Sequence, residues 1–345
     1  MAKKRVLVVG LGNMGMSHAL AYTRIPGFEV VGVCERRDRD LPAALKGARK
    51  YKKFETALAE LKPDVVSINT LPDTHADFAI KAMEAGAHVF VEKPLADNVE
   101  NAEKVVAAAR RTGKKLVIGY ILRHHPSWIK FIEIARQLGS PLVFRMNLNQ
   151  QSNGETWSWH KRLMDSFPPI VDCGVHYVDV MCQMTDARPV KVHAMGAKLT
   201  SEVQQQNYGM LQVMFDDGSV GWYEAGWGPM MSETAFFVKD VIGPKGSVSI
   251  VMAEAGGKVK SDDINAHTKT NQILRHYSDM SKADERIDMS DEPDHDALCE
   301  REQRYLLKAI EEDIDLSDHM DDGVKSLKIV LAADRSIHEG RVVSL

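Results

Sequence analysis

The sequence predicts two folds in series: a doubly wound parallel α/β sheet, then an α+β domain with a mostly antiparallel open sheet flanked by helices. Three observations lead there. Residues 1–122 alternate short apolar runs with amphipathic stretches, and the cluster Gly10-Leu11-Gly12-Asn13-Met14-Gly15 marks the first switch between them. Beyond a helix over 127–138 the pattern turns to β-branched and aromatic runs separated by turn signals. A chain of 345 residues is too long for one core, so we divide it into domains of 1–122 and 123–345, with the helical region 295–339 packing back.

The first strand, 5–9, is the apolar run Arg-Val-Leu-Val-Val, and a helix follows over 14–24. Between strand and helix, Gly10 permits a tight turn, Gly12 lets backbone approach a pyrophosphate, and Gly15 lets helix pack on strand; Asn13 and Met14 begin the helix that faces the anion. A second strand, 29–34, leads to Glu35, twenty residues past Gly15, where an acid accepts hydrogen bonds from an adenosine ribose. Arg36 and Arg37 follow. They stack on adenine, pair with a 2′-phosphate, or are solvated loop charges. Because the Glu35 carboxylate repels a 2′-phosphate, the pattern favours NAD over NADP. Further strands are predicted at 64–69, 88–92 and 115–120, and helices at 56–61, 74–85 and 98–112. Gly86 and Gly113 serve as C-terminal stops. The glycine loop, Glu35, Thr70-Leu71-Pro72 and Glu92-Lys93-Pro94 then share the carboxyl edge of the sheet, where such folds bind ligands.

In the second domain, strands are expected at 142–150, 190–199, 208–215, 219–226, 235–242 and 247–252, with Asp216-Asp217-Gly218 as a hairpin turn. Helices follow over 295–312 and 317–339, and 340–343 adds a final strand. The helix entry at 170–181 has two faces: Asp172, His176 and Asp179 cluster on one, while Cys173, Tyr177, Val180 and Met184 form an apolar stripe on the other. A carboxylate and an imidazole four apart read either as a wet polar face or as a pair that fixes one imidazole tautomer. A metal pair lacks a clear third ligand, since His124 and His125 are adjacent and point apart.

A net charge of −4 with interspersed signs gives no broad basic surface for nucleic acid or anionic membrane, and 284–296 reads as an acidic, solvated loop. No stretch approaches the length of a membrane helix. Cys34, Cys173, Cys182 and Cys299 are scattered, which indicates reduced thiols, a cytoplasmic location and no metal ribbon. Lys3-Lys4-Arg5 with Ala19-Leu20-Ala21 superficially resembles a secretory signal; cleavage there would remove the glycine loop, so that reading is rejected.

Taken together, the glycine loop, Thr70-Leu71-Pro72-Asp73-Thr74-His75, the block Ala85-Gly86-Ala87-His88-Val89-Phe90-Val91-Glu92-Lys93-Pro94-Leu95, and Asp172-Cys173-Gly174-Val175-His176 resemble the glucose–fructose oxidoreductase/inositol dehydrogenase/rhizopine-catabolism (Gfo/Idh/MocA) family along the whole chain. The resemblance implies an N-terminal Rossmann domain, catalytic roles for Lys93, Asp172 and His176, His75 and Glu92 bordering the cofactor, and a second domain for substrate and oligomer contacts. One departure concerns the loop before Asp172. Many members have a glycine triplet there, whereas this chain has Ser166-Phe167-Pro168-Pro169, which stiffens it.

The chemistry expected is hydride transfer between NAD and a hydroxyl-bearing carbon. His176 is the base, Asp172 orients it, and Lys93 stabilises the alkoxide. Aromatic and amide side chains suit a polyhydroxylated ring: Trp157, Trp159, His160 and Lys161, then Asn147, Asn149, Gln150 and Gln151, then Tyr120 and Arg123 at the domain junction. Each alone reads equally as packing. The substrate class is a sugar, sugar derivative or cyclitol. Two rivals use the same residues or fold: a redox-neutral glycosidase or lyase working through a keto-sugar, and a non-enzymatic NAD- or sugar-sensing regulator. The half-apolar open sheet predicts a homodimer or homotetramer.

Overall fold

The computed structural model describes residues 2–234, 237–251, 260–261, 263 and 270–345. It divides into two compact units, Met1–Ile121 with Asp296–Val324, and Leu122–His295 with Lys325–Leu345. No helix among the described residues is long and apolar enough to cross a membrane.

Six short strands, all but β3 from apolar runs, build the sheet of the first unit: β1 (Lys4–Val9), β2 (Phe28–Cys34), β3 (Arg49–Tyr51), β4 (Val65–Ile68), β5 (His88–Val91) and β6 (Leu116–Ile118). All pair in parallel, in the order β3-β2-β1-β4-β5-β6. Chain direction around the sheet reverses between β1 and β4, which opens a crevice at their carboxyl ends. Helices α1 (Asn13–Arg24), α2 (Phe54–Leu61), α3 (Pro72–Glu84) and α4 (Val99–Thr112) lie between strands. The bounds of α4 have local causes. Asn98 accepts a hydrogen bond from the Asn101 N–H at 2.8 Å, a cap worth about 1 kcal/mol, and Gly113 ends the helix at φ +65°. The helix His295–Glu311 belongs to this unit from Asp296 onward and adds Leu306 and Ala309 to the core around Val6, Val8, Ala19 and Phe90.

The second unit carries α5 (Pro126–Ala135), β7 (Val143–Gln151), α6 (Gly154–Leu163), α7 (Pro169–Asp172) and α8 (Gly174–Met184). Its strands continue as β8 (Pro189–Ala197), β9 (Tyr208–Phe215), β10 (Val220–Gly228), β11 (Lys239–Gly243), β12 (Gly246–Val251), β13 (Asn271–Tyr277), β14 (Glu285–Met289) and β15 (Val343–Ser344). They form one nine-stranded sheet, β14-β13-β12-β11-β7-β10-β9-β8-β15, antiparallel except where β7 meets β10. Strand alternation gives the sheet two unlike faces. Tyr223 stacks on Tyr177 of α8 and Trp227 on His160 of α6, so this side is packed by helices. The opposite side presents Met195, Met214 and Val220 to solvent.

Several elements depart from expectation. Strand β3 was not predicted, because Arg49-Lys50-Tyr51 is a short charged edge without an apolar run. Residues 284–296 are not a loop throughout: Glu285–Met289 pairs with the likewise unexpected β13, held by exposed cross-strand pairs such as Arg286 to Gln272 at 2.9 Å. The predicted helix over 170–181 is divided at Cys173, and α6 was not anticipated. Within the strands expected at 235–242 and 247–252, Ala235, Phe236 and Met252 lie outside the described residues.

Candidate functional site

At the carboxyl edge of the first unit, the three loop glycines do different work. Gly10 has φ +81°, and a Cβ there would lie 2.6 Å from the Asn69 carbonyl oxygen; a Cβ on Gly15 would lie 2.0 Å from that of Gly10. These two let the loop close on itself and on the end of β4. Gly12 faces open space, with nothing within 4 Å of its would-be Cβ, and α1 starts there without a side-chain cap. Orphan N–H groups at an uncapped helix start, beside open space at Gly12, fit a pyrophosphate.

Glu35 is bound into this loop. Its Oε2 accepts the Leu11 N–H at 2.9 Å and its Oε1 the Arg37 N–H at 3.0 Å. Burial pushes its pKa up, but the N–H groups of Arg37 and Leu11 and the charge of Arg39 outweigh that and hold the carboxyl below its ordinary range. Arg36 is exposed, while Arg39 donates to the Leu11 carbonyl. Glu35 borders a cavity of about 360 Å³ whose lining includes Leu11, Arg37, Arg39, Lys50 and Lys52. Sequence reading missed Arg39, Lys50 and Lys52, because the last two come from the unpredicted edge strand and its exit.

Two strands away, Thr70-Leu71-Pro72 leads into α3, with Pro72 at the first turn, where its missing N–H costs nothing. Thr70 Oγ1 pairs with Thr74 Oγ1 at 2.6 Å, and Leu71 stays exposed. His75 is fully buried and joins two loops: Nδ1 lies 2.8 Å from the Pro94 carbonyl and Nε2 3.1 Å from that of Thr70. Burial lowers its pKa, against the pull of both carbonyls and of Glu92. Glu92 is likewise buried, with Oε1 2.7 Å from His18 Nε2 and Oε2 accepting the Lys93 N–H at 3.2 Å. His18, on α1, was not singled out in the sequence, since its partner lies 74 residues on. Lys93 itself is half-buried, and its bond to Pro94 is cis. Tyr120 is buried in this unit, edge-on to His319 at 6.2 Å.

In the second unit, Asp172 ends α7 and His176 lies in the first turn of α8, both half-buried; the stripe Cys173, Tyr177, Val180 and Met184 faces the core. Pro169 occupies the first turn of α7, so the two prolines start the helix that carries Asp172. Asp179, grouped with these residues by periodicity, is instead gripped by Arg123, whose Nε and Nη2 reach its carboxylate at 2.9 and 2.6 Å.

His160 stacks on Trp227 with centroids 4.4 Å apart, and its Nδ1 lies 2.9 Å from Ser152 Oγ. Burial brings its pKa down to about 4, opposed by the charge of Asp172, which places both in one neighbourhood. Trp227 donates from Nε1 to Gln150 Oε1 at 2.7 Å. Trp157 is buried, its Nε1 3.3 Å from Glu202 Oε2; Lys161 also reaches Glu202, at 2.7 Å, and Arg162 lies over the half-buried Trp159. By strand alternation, Asn149 and Gln151 project to the other side of the sheet from Gln150. There, with Asn147, Asn149 donates to Glu224 (2.7 Å from its own Nδ2), and Gln151 donates to the Met231 carbonyl at 2.7 Å.

This geometry has known counterparts. Residues 4–120 match the model of the Gfo/Idh/MocA oxidoreductase family's NAD-binding Rossmann fold, and 134–249 match that of the Gfo/Idh/MocA C-terminal domain. The chain belongs to the Gfo/Idh/MocA family of oxidoreductases, and its first unit is an NAD-binding Rossmann domain. It is 30% identical over 205 residues to a UDP-N-acetylglucosamine 3-dehydrogenase of Acidithiobacillus ferrooxidans, covering 59% of this chain and 61% of that protein. To the scyllo-inositol 2-dehydrogenase (NAD(+)) of Bacillus subtilis it is 28% identical over 265 residues, 71% and 73% of the two chains. Several of these relatives are thus spanned over less than two thirds of their own length. The fold is also that of scyllo-inositol dehydrogenase from Lactobacillus casei, solved with NAD(H) and scyllo-inositol, with a TM-score of 0.76 at 18% identity and 99% of each chain covered.

Proposed function

We propose that the protein is an NAD-dependent dehydrogenase that moves a hydride between the cofactor and a secondary hydroxyl or ketone of a sugar, sugar derivative or cyclitol. The observation that carries this reading is Lys93, an amine at the ligand-binding edge of an NAD-binding sheet, on a turn tied down through Glu92 and His75. Bound NAD supplies the hydride acceptor. The chain's own residues manage the proton and the charge: His176 takes the hydroxyl proton, Asp172 orients the imidazole and balances its charge, and Lys93 donates a hydrogen bond to the forming alkoxide. Gln150, half-buried and bonded to Trp227, offers an amide of the kind a polyhydroxylated ring uses. The sugar and inositol dehydrogenases among the relatives support that substrate class. NAD(H) binds in preference to NADP(H), because Glu35 is held ionised beside the glycine loop and repels a 2′-phosphate.

The test is NADH formation over a panel of sugars and cyclitols, followed by variants on the substrate found. Lys93→Ala and His176→Ala are expected to fold, bind NAD as the parent does, and lose roughly a hundredfold to ten-thousandfold in turnover. Activity within about threefold of the parent in both variants overturns the assignment, since surface decoration costs little when removed.

A further inference from the structure

Glu302 is fully buried on the helix His295–Glu311, and neither carboxylate oxygen has a hydrogen-bond partner among the described residues. Its surroundings are rich in acceptors. Cys299 Sγ, a ring nitrogen of His18 and a Glu302 oxygen all lie within 4.8 Å of one another. Both nitrogens of His18 are engaged, Nε2 with Glu92 Oε1 at 2.7 Å and Nδ1 with Gln303 Nε2 at 3.0 Å, so the ring offers no open nitrogen to a metal. An ionised carboxylate buried without a donor is among the costliest arrangements in a protein, and its usual resolution is to take up a proton. As a neutral acid, Glu302 becomes a donor among these acceptors.

We propose that Glu302 is a positioning residue, held as a neutral carboxylic acid, and that with His18 and Glu92 it forms a buried cluster that fixes the turn carrying Lys93. The link to the turn is direct: Glu92 holds His18 with one oxygen and the Lys93 N–H with the other. Burial, and then the charge of Glu92, pushes the Glu302 carboxyl well above the usual range. The groups facing it are His18 and Tyr22 from α1, Glu92 from beyond β5, and Cys299 and Gln303 from its own helix, with Asp296 and Arg24 acting at the margin through Cys299. The effect on turnover rests on the catalytic reading of Lys93; the protonation state does not.

Thermal unfolding of the parent, Glu302→Gln and Glu92→Gln from about pH 5 to pH 8.5 tests it. A carboxyl whose folded-state pKa is raised gives stability that is fully present below the unfolded value and lost as pH rises toward the folded one. Glutamine has the neutral acid's shape and no proton to lose. The midpoint of Glu302→Gln is therefore expected to rise relative to the parent as pH rises, and Glu92→Gln to show part of the same change. Glu302→Gln keeps NAD affinity and turnover within about threefold, whereas Glu302→Ala, which removes the donor, loses at least about tenfold in kcat at unchanged NAD affinity. A difference that stays flat or falls with rising pH overturns the proposal. So does stoichiometric metal in the purified parent, or a Glu302→Gln chain that fails to fold while Glu302→Asp folds. If Lys93→Ala proves active, the kcat comparison fails with the functional reading, and the unfolding comparison still decides the state of Glu302.

Discussion

His160 shows how one buried side chain couples the site to stability. Packed against Trp227 and bonded to Ser152, it is held neutral, with its pKa brought down to about 4 by burial despite the nearby charge of Asp172. A depressed histidine pKa means that the unfolded chain binds a proton first as pH falls. Stability from this group is present above about pH 6.5 and is lost between there and pH 4, by roughly 3 kcal/mol in full. His88, in the other unit, is depressed to about 4 for the same reason, with Lys114 and Lys4 adding to the effect of burial, and contributes with the same sign. Denaturant melts of the parent and His160→Gln at pH 7 and pH 5 are expected to show a smaller acid loss in the variant. Equal losses in the two proteins would mean that His160 takes up its proton freely in the fold and is not sealed against Trp227.

At the scale of elements, the glycine loop separates folding from binding. Gly15 abuts the backbone of Gly10, so Gly15→Ala forces the loop and α1 apart, an overpacking cost of about 1–3 kcal/mol, and loses NAD affinity with stability. Gly12 has an ordinary φ of −63° and empty space around its would-be Cβ. Gly12→Ala is expected to unfold within about 0.5 kcal/mol of the parent and to bind NAD at least about tenfold more weakly, because the methyl group occupies room for the pyrophosphate. Fluorescence titration with NAD beside a urea melt checks both; parent-like NAD binding in Gly12→Ala would move the phosphate site elsewhere. This loop was legible because its signal is local: an apolar strand, a glycine spacing and a helix in series. Strands with alternating burial, such as β9, were legible for the same reason. Arg49-Lys50-Tyr51 and the edge strand β14 were not, since an edge strand is stabilised by its neighbour and carries no apolar period of its own.

Over the whole chain, what sequence could not supply was pairing at a distance. Periodicity put Asp179 with Asp172 and His176, but Arg123, 56 residues earlier, takes it; Glu92 was singled out, but His18 and Glu302 beneath it were not. The same limit applied to the sheet of the second unit, where alternation could say that one face is half apolar but not which side chains gather there. That face exposes Met195 at 57%, Met214 at 47%, Val220 at 40% and Ile242 at 39%, around a concavity of about 890 Å³ lined by residues including Arg145, His193, Met214 and Trp222. Contiguous apolar surface of this kind is uncommon on a monomer and is ordinarily covered. A second copy is the simplest cover for it, and a two-fold pairing buries the patch on both partners at once. A homodimer, or a homotetramer built on it, is therefore expected at micromolar concentration by light scattering. Met214→Glu combined with Val220→Lys is expected to shift the population to a smaller species while leaving NAD affinity unchanged, since neither residue belongs to the nucleotide-binding unit. A parent protein that scatters as a monomer, or a variant whose mass is unchanged, would refute this use of the open face.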